Sequence, residues 1–401
     1  MSQLEAGPDR PTIPAAPAGS DRPAAPTAPA GPDRPAAPAG PAPAAGTPDA
    51  PASGAAGTRP LRVGLAGYAS ASWLHVGPIT AAGGVVAAVA TRRPERRAQA
   101  VADCPGVRVV DDLDALLEVP DLDLVVLSTP TGRHHDHALQ VIAAGLPVVV
   151  EKPLGVRLAE VREVVDAAKG AGVPLTVFLQ RRWDPAHLVA RQLAATAALG
   201  ELWRLEYRWE RWRPVPRHRW REDTPTAGGG GQLLDLGPHM VDLTVQLFGP
   251  VASVHAEMAA RRQVSDDDTH LVLRHAGGGV SHLDIGSLVA APGPRLRLVG
   301  ATGTYVYDDF TDDGKVQPIY PDLADAPGAC GWLYRGPLER EPVARVAGEW
   351  TDFYRRLFDA LRRPDPMAQL PVPPEDVVHL AEVLDAAQRS AAAGQVVAVG
   401  E

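Results

Sequence analysis

The amino-acid sequence predicts an α/β protein in which a doubly wound parallel sheet is followed by an α+β region with an open, largely antiparallel sheet. Between residues 61 and 179, short apolar runs alternate regularly with helical patterns, which is typical of a parallel sheet with helices on both faces. After Gln180, longer polar–apolar runs follow one another with few helices between them, and this predicts antiparallel or mixed pairing.

Residues 1–60 are predicted to form a disordered arm rich in Pro and Ala. The tripeptide Asp-Arg-Pro recurs at 9–11, 21–23 and 33–35, and a repeat so poor in large apolar side chains cannot offset the entropy of ordering its backbone. An extended tail without a specific partner is one interpretation, and an arm that wraps a neighbouring subunit is the other. The segment lacks the pattern of a secretory signal, so we expect a cytoplasmic protein.

The region 61–179 is assigned six strands and five helices. Its strands are short apolar runs, as expected of strands buried on both faces, at 62–66, 85–90, 107–110, 122–128, 147–150 and 175–178. Its helices carry apolar residues at helical spacing, at 71–82, 94–102, 113–117, 134–144 and 158–171. Gly145 and Gly172 follow two of these helices, where glycine commonly ends a helix.

The region 180–401 is assigned a sheet with one free face. A helix at 184–197 precedes strands in which polar and apolar residues alternate, at 202–212, 252–258, 269–275, 280–287, 295–299 and 304–307. Amphipathic helices follow at 350–361 and 374–393. Because antiparallel sheets commonly bury only one face, we expect a homo-oligomer joined through the other face of this sheet.

Size and composition permit two full domains and argue against several classes of function. The chain has 401 residues, of which 45% are hydrophobic, enough for a core in each of the domains 61–179 and 180–401. The net charge of -9 and the lack of a basic stripe argue against nucleic-acid binding. No apolar stretch approaches the roughly 18 residues of a membrane span. Cys104 and Cys330 show no metal-type spacing, which indicates free thiols in a reducing compartment.

The end of the first predicted strand has the position of the phosphate-binding turn in a Rossmann fold. Three glycines would lie at 67, 69 and 72, whereas this chain has Gly67, Ala69 and Ser72. Small residues still leave room for a pyrophosphate, and Ser70 and Ser72 can donate hydrogen bonds to phosphate. A nucleotide site that includes Tyr68 is one interpretation, and a turn without a ligand is the other.

The end of the second predicted strand favours NADP over NAD. An NAD-specific site would place an acidic residue there to hold the ribose hydroxyls, whereas this chain has Thr91, Arg92 and Arg93. Guanidinium groups bind phosphate through charged, bidentate hydrogen bonds, which suits the 2′-phosphate of NADP. Because Arg93, Arg96 and Arg97 can also form the solvated face of the next helix, Arg92 is the strongest of these candidates.

Lysine is rare in this chain, and Lys152 lies between Glu151 and Pro153 at the end of a predicted strand. A buried ammonium can shift its pKa and share a proton with a reacting hydroxyl, whereas arginine stays protonated. Lys152 is therefore a candidate catalytic residue. The alternative is an exposed cap on a strand end, the role expected of Lys169 and Lys315. The Lys152–Pro153 bond can also be cis.

Asp235, His239 and Asp242 are spaced i, i+4 and i+7 after a run of glycines at 228–231, which places them on one helical face. A histidine one turn from a carboxylate can act as general acid and base, because its pKa lies near the working pH. A helix-cap network and a two-ligand metal site are the alternatives. The metal interpretation is the weakest, since no third ligand has recognisable spacing.

Five groups of residues, in order and at matching spacing, resemble the Gfo/Idh/MocA oxidoreductases over about residues 61–400. They are Gly67-Tyr68-Ala69 with His75, Ser128-Thr129-Pro130-Thr131 with His134, Glu151-Lys152-Pro153, Gln180-Arg181-Arg182-Trp183-Asp184, and the glycine-rich run through Asp235 and His239. The blocks around Arg181, Trp220 and Asp235 look most like those of the NADP-dependent scyllo-inositol dehydrogenases. Residues 1–60 lie outside the resemblance.

The resemblance implies that NADP binds the domain 61–179 and that a sugar or polyol lies between it and the domain 180–401. Lys152 and His239 would handle the substrate proton, with His239 as acid and base and Lys152 stabilising the developing alkoxide. Asp235 would orient the substrate and this pair. The departures at Ala69 and Ser72 bear on cofactor affinity more than on catalysis.

Further contacts are expected on both sides of the reaction centre. The additional cofactor-binding candidates are Thr129, Pro130, His134, Glu151 and Lys152, and the substrate-binding candidates are Arg181, Trp183, Arg217, Trp220, Asp235 and His239. Arginine donates to hydroxyls and aromatic rings stack on sugars, although buried structural roles suit both tryptophans equally. No metal is expected at the cluster 134–137, because only His134 and His137 share a face there.

Three functions remain open at this point. The first is an NADP-dependent sugar or cyclitol dehydrogenase. The second is a ketoreductase acting on a nucleotide-activated sugar, or an oxidoreductase that retains its cofactor, which the arm 1–60 favours. The third is a non-catalytic protein that senses sugar or NADP. The altered glycine turn favours this last function, whereas the presence of Lys152, Asp235 and His239 argues against it.

Overall fold

The computed structural model describes residues 59–68, 73–307, 328–337 and 339–400. They belong to one compact unit, Thr58–Glu401. Nearly all of the predicted arm 1–60 lies outside the described residues, and so do the turn residues Ala69, Ser70 and Ser72 and the lysine Lys315.

A six-stranded parallel sheet forms the N-terminal half. Its strands are β1 (Arg62–Ala66), β2 (Val85–Ala90), β3 (Arg108–Val110), β4 (Leu124–Leu127), β5 (Val148–Val150) and β6 (Leu175–Val177). The helices between them are α1 (Trp73–Ala81), α2 (Pro94–Asp103), α3 (Leu113–Leu117), α4 (His134–Ala143) and α5 (Leu158–Ala171). Every residue of β4, β5 and β6 is buried, because helices cover both faces of a doubly wound sheet.

The strand order of this sheet determines where a ligand can bind. The order is β3-β2-β1-β4-β5-β6, and all neighbouring strands are parallel. Strands β2 and β3 therefore lie on one side of β1, and strands β4, β5 and β6 lie on the other side. Loops that leave the carboxyl ends of β1 and β4 diverge, and the crevice between them is the usual ligand position in such sheets.

A nine-stranded mixed sheet forms most of the C-terminal half. Its strands are β7 (Leu202–Glu210), β8 (Val251–Ala259), β9 (Asp268–His275), β10 (Val280–Gly286), β11 (Leu296–Gly300), β12 (Gly303–Tyr307), β13 (Ala329–Tyr334), β14 (Arg340–Ala344) and β15 (Val397–Ala398). Their order is β14-β13-β12-β11-β7-β10-β9-β8-β15. β7 and β10 pair in parallel, and the other neighbouring strands are antiparallel. The predicted fold class is confirmed.

The C-terminal helices connect the two sheets. They are α6 (Pro185–Ala195), α7 (Trp220–Asp223), α8 (Gln232–Phe248), α9 (Thr351–Leu361) and α10 (Pro374–Ala393). α8 and α10 pack on the nine-stranded sheet, while α10 also contacts α5 and β6, and α9 contacts α1. The division into domains at residue 180 stays a prediction. Among the described helices, none combines the length and apolar character needed to cross a membrane.

The predicted and observed elements differ mainly at their ends and in three strands. Gly145 and Gly172 have φ angles of 73° and 65° and follow α4 and α5, as expected of residues that end helices. The sequence predicts neither β13 and β14 nor the two-residue β15. Gly331 has a φ of 92°, and the register with β14 shifts between Ala329 and Trp332. This bulge interrupts the alternation by which a strand is recognised in a sequence.

An aromatic cluster fastens α9 to the end of β6. The ring of Phe178 lies 4.9 Å from that of Phe353 and 5.7 Å from that of Tyr354, between centroids. Phe353 also contacts the ring of Trp183 edge-on at 5.9 Å. Such contacts add to the free energy gained from apolar burial, so α9 is held firmly against the six-stranded sheet.

Replacing Phe353 by Ala should lower the free energy of unfolding by about 3–5 kcal/mol, because a fully buried ring would leave a cavity among other rings. The matched control is Val215→Ala, since Val215 is 73% exposed and its loss should change stability by less than about 0.5 kcal/mol. Urea denaturation followed by circular dichroism measures both. Equal midpoints for the two variants would contradict the packing described.

Candidate active site

A cleft of ≈ 880 Å³ lies at the crevice of the six-stranded sheet. One wall consists of Gly67, Tyr68, Thr91, Arg92, Arg93, Arg96, Ser128, Thr129, Pro130, His134 and Glu151. The other consists of Arg211, Arg213, His218, Arg219, Trp220, Arg221, Glu222, Gln232 and Asp235. The residues of the first wall follow strands β1, β2, β4 and β5. The strand order therefore brings together most of the described residues that the sequence assigned to cofactor binding.

Gly67 allows the turns after β1 and β4 to approach each other closely. Its φ is 91°, and a Cβ at this position would come within 2.7 Å of the carbonyl oxygen of Ser128. The next residue, Tyr68, is buried and donates a hydrogen bond of 2.7 Å from its hydroxyl to Asp103 of α2. Burial and this carboxylate raise the pKa of Tyr68, so the phenol stays neutral and fastens the turn to α2.

Three arginines after β2 reach the cleft. Arg92 pairs with Asp112 at 2.7 Å, and both side chains are exposed. Arg93 and Arg96 line the same part of the wall, although the sequence left them open as helix surface. Arg97 instead donates a hydrogen bond of 2.9 Å to the carbonyl of Thr91 and has a structural role. The positive charge at this end of the cleft is therefore carried by three guanidinium groups.

Lys152 crosses the cleft to contact α8. The Lys152–Pro153 bond is cis, and the ammonium lies 2.9 Å from Asp235 Oδ1 and donates a second hydrogen bond to the Asp235 carbonyl. Arg221 Nε lies 3.2 Å from the same carboxylate oxygen. Burial would raise the pKa of Asp235, but Lys152 and Arg221 lower it far below its usual value. Burial lowers the pKa of Lys152, although Asp235 opposes this.

His239 lies on α8 one turn after Asp235 and is 4% exposed. Its Nδ1 is buried and has no hydrogen-bond partner among the described residues. Burial lowers the pKa of His239 well below its usual value, and the charges of Lys152 and Arg181 lower it further. The ring is therefore neutral, and its buried nitrogen is available to a ligand. The sequence expected Asp235 to orient His239 directly, whereas the Asp235 carboxylate instead binds Lys152 and Arg221.

Asp242, the third residue of the predicted helical face, belongs to a different network. Its carboxylate binds Arg182, with Nη2 2.5 Å from Oδ1. Arg182 also lies 2.8 Å from Asp376 of α10. Buried charges must be paired to be tolerated, and here the pair joins α8 to the turn after β6. The i, i+7 spacing from Asp235 therefore does not bring Asp242 into the cleft.

Several buried polar atoms around His239 are also unsatisfied. They are Gln180 Oε1, Arg181 Nε, His187 Nδ1 and Trp209 Nε1. The guanidinium of Arg181 lies 4.4 Å above the Trp209 ring, and His187 Nε2 lies 3.0 Å from the Tyr207 hydroxyl. Each such atom costs roughly 1–3 kcal/mol unless a ligand or water satisfies it. None of these four side chains lines the cleft.

Sequence reasoning did not assign His187, Trp209 or Arg221 to the site. Arg221 follows Trp220 in a block that the resemblance singled out, so a signal was present. His187 lies in an ordinary amphipathic helix, and Trp209 lies between charged residues on β7. Neither position differs from a core residue in the sequence alone.

The four predicted substrate-side residues occupy different places. Trp220 lines the cleft, with the Arg221 guanidinium 4.5 Å above its ring. Arg181 pairs with Asp184 at 2.7 Å and approaches His239. Trp183 lies in the aromatic cluster with Phe353. Arg217 is not among the residues that line the cleft, and its backbone N–H donates to Glu222.

Buried hydrogen bonds hold the loops around Lys152. His134 lies 2.8 Å from the carbonyl oxygens of both Pro153 and Thr129, so it ties the loop after β4 to the cis peptide. Glu151 Oε1 lies 3.0 Å from His75 Nε2, whose other nitrogen lies 2.6 Å from the Tyr354 hydroxyl. Burial would raise the pKa of Glu151, but His75 lowers it. Within the described ranges, no group of three or more His, Cys, Asp or Glu side chains could hold a metal ion.

Two segments of the chain match known family descriptions. Residues 61–179 match "Oxidoreductase family, NAD-binding Rossmann fold". Residues 187–306 match "GFO/IDH/MocA C-terminal domain". Together the two segments span more than half of the chain and contain both sides of the cleft.

Matches to individual proteins cover most of this chain and most of each relative. The scyllo-inositol 2-dehydrogenase (NADP(+)) IolW of Bacillus subtilis (strain 168) is 31% identical over 343 residues, which is 82% of this chain and 93% of that protein. The uncharacterized oxidoreductase YdgJ of Escherichia coli (strain K12) is 33% identical over 346 residues, 82% of this chain and 96% of its own. The solved structure of the Bacillus subtilis oxidoreductase yvaA has a TM-score of 0.73 at 29% identity, and the match covers 85% and 98% of the two chains.

Proposed function

The chain belongs to the Gfo/Idh/MocA family of NAD-binding oxidoreductases, and on that premise we propose that it reversibly oxidises a carbinol of a sugar or cyclitol with NADP as the preferred cofactor. The observation that carries the proposal is the buried His239, whose Nδ1 has no partner, one turn from the Lys152–Asp235 pair. A neutral base and a buried ammonium are thus held together beside a cleft of suitable size.

The residues of the first cleft wall are compatible with NADP. Gly67 keeps the turn after β1 free of a side chain, and Thr129, Pro130 and His134 lie on the same wall. Arg92, with Arg93 and Arg96 beside it, would bind the 2′-phosphate through charged hydrogen bonds. Bound NADP supplies the hydride acceptor for oxidation of the carbinol carbon. The NADP dependence in the name of the Bacillus subtilis inositol dehydrogenase supports the same preference.

The chain's own residues would handle the hydroxyl proton. The neutral ring of His239 accepts the proton as the carbonyl forms and returns it in the reverse direction. The ammonium of Lys152 donates a hydrogen bond to the developing alkoxide, and the low polarity of a buried site strengthens that interaction. Asp235, held by Arg221 at 3.2 Å, fixes the position of the Lys152 ammonium.

The unsatisfied atoms near His239 support a polyhydroxylated substrate. Arg181 Nε and Trp209 Nε1 are donors, whereas Gln180 Oε1 is an acceptor. A hydroxyl group both donates and accepts, so a substrate with several hydroxyls offers the kinds of partner that these three atoms lack. A substrate without hydroxyls would leave these atoms unpaired at a cost of roughly 1–3 kcal/mol each.

Lys152→Met should lower kcat by about 100- to 10,000-fold, because proton handling and alkoxide stabilisation are lost together. The substrate is the best one from a screen of NADP+ reduction over inositols and aldoses, and absorbance of NADPH is the readout. The Kd for NADPH should stay within a few-fold. Lys169→Met is the matched control, since Lys169 is exposed and pairs with Glu375, and it should retain full turnover. Unchanged kcat in Lys152→Met would exclude the assigned role.

The pH dependence of oxidation should reflect the lowered pKa of His239. Because the ring must be neutral to accept a proton, kcat/KM should stay constant through the neutral range and fall only below the usual histidine pKa of about 6.5. A pH profile of kcat/KM in the oxidative direction measures this. The acid limb should disappear in His239→Asn, and a limb centred above about 6.5 in the unchanged protein would contradict the neutral, buried ring.

Arg92→Ala should raise the Kd for NADPH by about 10- to 100-fold, the usual effect of losing a charged hydrogen bond, and should leave the Kd for NADH nearly unchanged. Cofactor fluorescence measures both constants. Arg108→Ala removes the same charge from an exposed position on β3 and should change neither. Tighter binding of NADH than of NADPH by the unchanged protein would contradict the proposed preference.

We also propose that copies of the chain associate through the outer face of the nine-stranded sheet. On that face, Glu206 lies 3.0 Å from Arg208 and 3.2 Å from Arg297, and Val272 is partly exposed on β9. Sedimentation should give a mass above the 42.2 kDa of one chain, and Val272→Arg should reduce it because a charge would enter the contact. A monomeric mass for the unchanged protein would disprove the association.

A further inference from the structure

A second cavity of ≈ 550 Å³ lies between α6 and α9, and residues 369–371 close one side of it. No residue lines both this cavity and the cleft. Apolar side chains, among them Trp183, Leu188 and Leu370, form part of its wall. The cavity is therefore a separate site behind the turn that follows β6. It is open to solvent at the exposed Arg356 and Arg363, and it is large enough for a small metabolite.

This second cavity is lined by four arginines: Arg182, Arg191, Arg356 and Arg363. Arg182 is neutralised by Asp242 and Asp376. Arg356 lies on α9 and Arg363 lies two residues after its end, and both side chains line the cavity. Neither forms an ion pair with a carboxylate among the described residues. The ion pairs of this segment instead involve Arg355 and Arg362.

Arg191 contributes a third guanidinium that forms no ion pair among the described residues, although the charge of Asp242 acts on it. Its Nη1 donates to Gln246 at 2.7 Å and its Nη2 to the carbonyl of Arg182 at 2.6 Å. Its Nε is buried without a partner. Burial lowers the pKa of Arg191, and the charge of Arg182 lowers it further. The local potential is therefore positive where the cavity meets α6.

Two carboxylates also line the cavity, but each is paired with an arginine outside it. Asp352 binds Arg355 at 2.8 Å, and Asp359 lies 4.0 Å from Arg362. These pairs leave Arg191, Arg356 and Arg363 without an ion-pair partner among the described residues, although the two carboxylates lower the net positive charge of the cavity. Guanidinium groups close to one another repel, and a bound anion would reduce that repulsion.

We propose that this cavity binds the phosphoryl group of a small phosphorylated metabolite or free phosphate. Arg191, Arg356 and Arg363 would bind the oxygens, since the planar guanidinium donates two parallel hydrogen bonds to phosphate. The volume of ≈ 550 Å³ exceeds what one phosphate ion needs, and the apolar wall around Trp183 and Leu370 offers contact to the remainder of a larger ligand.

The site is connected to the catalytic helix through Arg182. This side chain lines the cavity and binds Asp242 of α8 at 2.5 Å, three residues after His239. The neighbouring Arg181 approaches His239 from the other side of the same turn. A ligand in the cavity thus contacts a residue that positions α8, without occupying the cleft.

Isothermal titration calorimetry in a low-salt buffer tests the proposal, with inorganic phosphate and glucose 6-phosphate as probes and glucose as the uncharged control. The double variant Arg356→Gln/Arg363→Gln should bind both phosphate probes at least about tenfold more weakly than the unchanged protein. Arg108→Gln, which removes a charge from an exposed position on β3, should bind them normally. Both variants retain the arginines of the cleft, so phosphate bound there contributes equally.

A second variant, Gln369→Glu, adds a negative charge to the wall without removing an arginine, and it should also weaken binding. Tighter binding of glucose 6-phosphate than of phosphate would identify a phosphorylated metabolite as the ligand, and equal binding would identify free phosphate. Equal affinity of the unchanged protein and the double variant, or no binding of either probe at millimolar concentration, would overturn the proposal. Unchanged melting temperatures establish that the variants are folded.

Discussion

The contact between Lys152 and Asp235 joins the two halves of this protein where the chemistry is expected. The ammonium extends from the end of β5, and the carboxylate lies in the first turn of α8, so one ion pair spans the cleft at 2.9 Å. Either charge alone would be costly to bury. The position of α8 relative to the six-stranded sheet therefore depends on both, and His239 is carried with it.

The surrounding structure keeps this pair in place through hydrogen bonds and aromatic packing. His134 fixes the carbonyl of Pro153, and His75 fixes Glu151 on the other side of Lys152. The hydroxyl of Tyr354 on α9 forms a hydrogen bond with the other ring nitrogen of His75. The Tyr354 ring belongs to the aromatic cluster with Phe178. A helix near the end of the chain thus supports residues that follow β5, because the C-terminal segment packs back against the first sheet.

Arginine performs several distinct tasks here, and its surroundings decide which one. Arg182 is buried between two carboxylates and joins helices, whereas Arg97 satisfies backbone carbonyls. Arg92 is exposed at the end of the cleft where a phosphate can reach it. Arg356 lines a second cavity together with three other arginines. The number of arginines in the sequence predicts none of these roles individually, since each depends on what lies within hydrogen-bond distance.

Local patterns in the sequence were sufficient for the fold class and for part of the site. The alternation of apolar runs and helical spacing reports burial directly, and the i, i+4 spacing of Asp235 and His239 held because both lie on one helix. The same spacing did not reveal that Asp242 binds Arg182, and the sequence left open whether Trp183 is buried, as it is against Phe353. It also missed β13, because the bulge at Gly331 breaks the alternation.

The sequence by itself therefore determined the two sheets, the family and the identity of Lys152 as an unusual residue. Only the tertiary structure decided that Lys152 meets Asp235 and Arg221, that His239 keeps an unpartnered nitrogen, and that a second cavity forms beside Arg191. The physical reason is that spacing along the chain fixes which side chains share a face of one element. Contacts between distant elements depend instead on strand order and helix packing, which no local pattern encodes.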